Sequence, residues 1–137
     1  MAQASYMQPF GGPPSLADLE IMAREAMAEI PGSLRQYARE LVVRVEDFPD
    51  EATMEELDLE SPFDILGLYR GVDMMRRSTG DLPQDVNTIY IYRRPLLDYW
   101  CETEEDIQRL VVHVLIHEIG HHFGFSDTDM DRIEQQI

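Results

Sequence analysis

The chain has 137 residues, with 27 Asp and Glu against 11 Lys and Arg, and a formal net charge of −16. That length suits one domain with one core, and a hydrophobic content of 44% argues against disorder. The charge argues against nucleic acid and anionic membranes as partners, because binding phosphate needs a basic face, whereas basic peptides and cations are attracted.

Residues 1–14 are rich in Gly, Pro and Gln and lack apolar periodicity, so they read as a flexible tail before a single domain over 15–137. They have no basic start and no apolar run, unlike a secretory signal. No stretch approaches the ~20 apolar residues of a membrane span. Cys101 is the only cysteine, so no disulfide can form within the chain, and a lone thiol suits a reducing compartment. The expected location is cytoplasmic.

Ser15 reads as the N-cap of a first helix, with Asp18 completing a capping box. Leu16, Leu19, Ala23, Ala26, Met27 and Ile30 follow at helical spacing, and Pro31-Gly32 ends the helix. Residues 41–45 form the first expected strand. Residues 47–62 carry seven acids and no base and read as a solvated acidic loop. A short helix fits inside it, with Thr53 and Glu56 as a capping box. Residues 65–72 form a second strand and 74–83 a loop. Residues 87–93 form the clearest strand, with Ile89 and Ile91 alternating with Tyr90 and Tyr92, and Pro95 closes it.

Thr103 is then expected to cap a long helix with Glu104, Glu105 and Asp106 in its first turn, where negative charge suits the helix dipole. That helix runs to about Phe123 and stops at Gly124. A short helix over 129–137 closes the chain. The order implies an α+β domain with helices packed on a small mixed sheet.

The chemistry lies in residues 110–123. Apolar side chains surround that helix on all sides, which marks it as buried. An ionised Glu118 and several imidazoles in such a place are costly without a partner, and a bound cation serves them all. His117 and His121 lie one turn apart on one face, so both can reach a metal at about 2.0–2.1 Å. Glu118, about 100° around the helix, reaches a metal-bound water as general base. Zinc lowers the pKa of such a water to about 7.

A catalytic zinc keeps three protein ligands and a water. Asp127 is favoured as the third because it falls at the ligand offset of the pattern H-E-x-x-H-x-x-G-x-x-H; Asp129, Asp131 and Glu134 are rivals. An oxygen ligand also admits other divalent metals. A calcium loop starting at Asp127 fails, because Arg132 stands where the required glycine belongs. His113 lies one turn before His117 and reads as a core histidine, with a supporting or alternative ligand role left open. His122 has no assigned metal role. Trp100, Tyr90 and Tyr92 read as packing residues.

Three segments together carry a resemblance: Ser61-Pro62-Phe63-Asp64-Ile65-Leu66-Gly67-Leu68-Tyr69-Arg70-Gly71, residues 89–97, and residues 117–127 with His117-Glu118-Ile119-Gly120-His121-His122-Phe123-Gly124. They resemble the small bacterial zincin-like metallopeptidases, and the likeness runs from about Leu16 to the last residue. It implies a minimal zincin fold: a small twisted sheet, a backing helix and a long active-site helix. It implies His117, His121 and Asp127 as zinc ligands and Glu118 as base. By analogy, a strand at the sheet edge binds an extended peptide by strand addition, with residues 87–93 as the candidate strand. Unlike metzincins, the chain has only Met130 after the motif and no tyrosine there to hold an oxyanion.

The expected function is therefore a zinc-dependent hydrolase acting on peptides or unfolded protein segments. The alternatives are a non-catalytic, metal-stabilised interaction module, and hydrolysis of another amide or ester by the same groups.

Overall fold

The computed structural model describes residues 13–38, 41–71 and 87–135. The expected loop over 74–83 lies outside them, as do residues 1–12 of the expected tail. Pro14, the last tail residue, is held against the domain: its carbonyl accepts a 2.7 Å hydrogen bond from Arg93 Nε.

Helix α1 (Leu16–Glu29) begins at Ser15 with the expected reciprocal capping box to Asp18. It buries Leu19, Met22, Ala23 and Ala26, and Ile30 is buried just past its end. Pro31 does not lead into a loop. A further helix, α2 (Gly32–Ala38), starts at once and buries Leu34.

Strand β1 (Val42–Glu46) is followed by α3 (Glu51–Glu56). The expected capping box is corrected here. Asp50 is the N-cap and accepts from the Thr53 backbone N–H at 2.8 Å, while Thr53 itself is buried inside the helix. Any Asx, Ser or Thr before a helix competes for that place, and packing of Thr53 decided it.

Strands β2 (Gly67–Arg70) and β3 (Thr88–Tyr92) complete a three-stranded sheet in the order β1-β3-β2. β1 runs parallel to β3, and β2 runs antiparallel to it. The expectation that residues 87–93 form the edge strand is overturned, because β3 is central and paired on both sides. Ile89, Ile91 and Tyr92 are buried and Tyr90 half-buried, because a central strand is covered on both faces.

Sequence reasoning missed α4 (Arg93–Thr103), which starts directly from β3. Pro95 sits in its first turn, where a missing N–H costs nothing because those donors have no partner inside the helix. The Arg94 N–H finds the Asp47 carbonyl instead, at 3.1 Å.

Thr103 is correspondingly the end of α4, not the start of the next helix. Glu104 turns the chain with φ 57°, and Asp106 caps α5 (Ile107–His122) by accepting from the Arg109 N–H at 3.0 Å. The last helix, α6 (Asp127–Glu134), starts two residues earlier than expected, capped by a Ser126–Asp129 capping box. The core lies between the sheet and helices α1, α2 and α5, with α6 closing the far end of α5. The result is an α+β domain with a small mixed sheet. No helix among the described residues is long and apolar enough to cross a membrane.

Candidate metal centre on helix α5

α5 is buried along most of its surface. Leu110, Val111, Val112, Val114, Leu115, Ile116, Ile119 and Gly120 are all inside. The histidines lie on the rest: His117 is half-buried, and His113, His121 and His122 are exposed. The burial cost argued from the sequence therefore falls on Glu118 and His117, both half-buried, and not on the three exposed imidazoles.

Glu118 faces the sheet. Its Oε1 accepts a 3.1 Å hydrogen bond from the backbone N–H of Tyr69 in β2. In the antiparallel pairing of β2 with β3, the Tyr92 N–H bonds to the Leu66 carbonyl and Leu68 stands opposite Tyr90. Alternation then turns the backbone groups of Gly67 and Tyr69 toward the outer edge of the sheet. The donor that holds Glu118 thus belongs to β2, the edge strand nearest the motif among those described.

Burial raises the Glu118 pKa above its ordinary value. The Tyr69 N–H bond and the nearby His121 oppose that shift without cancelling it. A carboxylate made more basic in this way suits proton abstraction near neutral pH.

Gly67 permits this contact. A Cβ there would lie 2.7 Å from Val114 Cγ1 and 2.9 Å from the Tyr90 carbonyl oxygen. Only a glycine lets α5 pack this close to β2. The strand position of Gly67 was the available signal, since a glycine inside a strand marks a close approach of another element. Nothing in local sequence pointed to Tyr69, which lies 49 residues before its partner. The Tyr69 ring stacks on His122, with centroids 3.8 Å apart, and meets Phe123 edge-on. Its buried hydroxyl has no hydrogen-bond partner among the described residues.

The chain reverses after α5 at Gly124, whose φ of +83° favours glycine. The Phe125 N–H returns to the Gly120 carbonyl at 2.9 Å and the Gly124 N–H to that of His121 at 3.3 Å, which closes the helix end. Buried Met130 packs against Gly120 and ties α6 to α5. This turn brings Asp127, the first residue of α6, back to the motif. Asp127 Oδ1 stands 3.4 Å from His121 Nε2. Of its rivals, Asp129 is occupied in the Ser126 cap, which also lowers its pKa. Asp131 is exposed on α6, and the Glu134 side chain lies outside the described residues.

His117 and His121 have ring centroids 5.8 Å apart, with planes at 86°. Two imidazoles and a carboxylate suit a zinc-type cation in kind, and His121 with Asp127 is already a close pair. They do not form a ready cage: among the described residues, no group of three or more His, Cys, Asp or Glu is placed to hold a metal. The arrangement is a carboxylate fixed by tertiary packing beside two imidazoles on one helix face and a second carboxylate returned by one turn.

A separate cleft of about 510 Å³ lies between α4 and α5, lined by Trp100, Cys101, Glu104, Glu105, Asp106 and Ile107. It sits at the opposite end of α5 from the motif and takes no part in this constellation.

A search of curated proteins found no match to the chain. A family model of zincin-like metallopeptidases matches residues 38–137. That span contains the whole sheet, Gly67, Tyr69 and all of α5, and the chain belongs to the zincin-like metallopeptidase family.

Proposed function

We propose that this protein is a zinc-dependent hydrolase that cleaves peptide bonds in peptides or unfolded protein segments. Glu118 is the general base, and His117, His121 and Asp127 are the metal ligands. One observation carries this reading most directly: the half-buried Glu118 carboxylate is bonded to an edge-strand N–H beside the two histidines of its own helix.

A divalent cation bound by these three side chains supplies Lewis-acid activation of water and of the scissile carbonyl. The chain's own groups do the rest. The Tyr69 N–H fixes Oε1 of Glu118, which leaves Oε2 to take a proton from the attacking water. The raised proton affinity of Glu118 favours that transfer, and the same oxygen returns the proton to the departing amine. An extended peptide added along the outer edge of β2 runs past Glu118, so β2 takes the substrate-binding role first expected of residues 87–93.

The test is turnover of a peptide library by the zinc-loaded chain and by Glu118→Gln. Loss of at least about 100-fold in turnover is expected, as for removal of a general base. Intact turnover in the variant would sink the mechanism. A closed four-ligand shell in a zinc-loaded crystal would instead support the metal-stabilised interaction module.

A further inference from the structure

Helix α5 carries three imidazoles in register, His113, His117 and His121, each one turn from the next. The reading above uses the last two. The structure brings the first two closer together. The His113 and His117 rings have centroids 4.3 Å apart and planes inclined at 28°, whereas His117 and His121 stand 5.8 Å apart and nearly perpendicular. His113 is exposed and His117 half-buried, so a solvated ion can reach both.

Two imidazoles at i and i+4 on an open helix face are a chelate for a divalent transition metal. A cation held at 2.0–2.1 Å by both needs ring nitrogens about 3 Å apart. The His113 and His117 rings, with centroids 4.3 Å apart, lie within reach of such a chelate. Nitrogen donors favour nickel, copper and zinc over magnesium or calcium.

We propose that His113 and His117 form a second station for a divalent transition metal, one helical turn before the His121–Asp127 pair, and that His117 is the ligand common to both stations. The upper pair rests on its own geometry. The sharing of His117 rests on the function proposed above. A neutral imidazole has one ring nitrogen free to ligate, so His117 serves one cation at a time. The chain then holds one ion at either station, and an ion at the upper station withdraws His117 from the lower. Excess metal therefore competes with the hydrolytic arrangement through His113.

The experiment is calorimetric titration of the metal-free full chain with Ni²⁺, comparing wild type, His113→Ala, His121→Ala and the double variant. The replaced side chains are exposed, so the core is untouched. Wild type is expected to take one ion per chain. His121→Ala should still take one, and adding His113→Ala should weaken that binding at least roughly tenfold. Imidazole NMR of His121→Ala with trace Cu²⁺ should broaden His113 and His117 before His122. Equal binding by His121→Ala and the double variant would overturn the upper station. Two ions per wild-type chain would overturn the sharing of His117. Binding by His121→Ala but none by His113→Ala would support the upper station while removing the lower one, so the two readings fail separately.

Discussion

The two sides of α5 are built differently. On the sheet side, Val114 and Glu118 pack against Gly67 and Tyr69 of β2, with a backbone hydrogen bond and a contact only glycine permits. On the solvent side, His113, His117 and His121 follow one another at the helical period with their rings in contact, and His121 touches Asp127 across a turn. The Glu118 carboxylate is thus held by contacts to another element, whereas the imidazoles lie on the more exposed face of the helix. Under the function proposed above, the group that transfers the proton is preorganised and the coordination shell is left for the cation to order.

The largest effect should come from the packed side. Gly67→Val forces a Cβ into Val114 and the Tyr90 carbonyl, where backbone cannot yield. A loss of about 2–3 kcal/mol in urea unfolding is expected, typical of overpacking. An unchanged midpoint would mean that β2 and α5 are not tightly joined.

An intermediate effect is expected at Glu118 in the metal-free chain. Its pKa is raised above the ordinary 4.5 by burial. The folded state therefore holds that proton more tightly than the unfolded state, and the stability this contributes is lost as pH rises through the folded pKa. Glu118→Gln, which keeps the acceptor for the Tyr69 N–H, should melt higher than wild type at neutral pH. The two should converge below about pH 4, where both states of wild type are protonated. A gap independent of pH would show that the carboxylate is not burdened by burial.

The smallest effect belongs to the solvent side. His121→Ala should change metal-free stability by less than about 0.5 kcal/mol, as exposed substitutions do. With zinc added, wild type should gain more thermal stability than the variant, which keeps only the His113–His117 pair. Equal zinc stabilisation of both would remove His121 from the ligand set.

The elements that were legible from sequence share a local cause. The α1 capping box, the alternation of residues 88–92, and the stop at Gly124 each depend on neighbours within about four residues. The misreadings arose where two local signals competed. Thr103 and Asp106 are both good caps, and a left-handed Glu104 between them decided in favour of Asp106. Pro95 stops a strand as readily as it opens a helix, and the Asp47 carbonyl accepting from the Arg94 N–H settled the latter.

By itself the sequence determined the helix that carries the motif, the shared face of His117 and His121, and the turn that returns Asp127, because these follow from helical period and glycine conformation. Only the tertiary structure decided that β3 is the central strand and β2 the edge among the described strands, that His113, His121 and His122 are exposed while His117 and Glu118 are half-buried, and that a Tyr69 N–H holds the Glu118 carboxylate. Strand order and the meeting of residues 49 positions apart depend on how the elements pack, which no local pattern encodes.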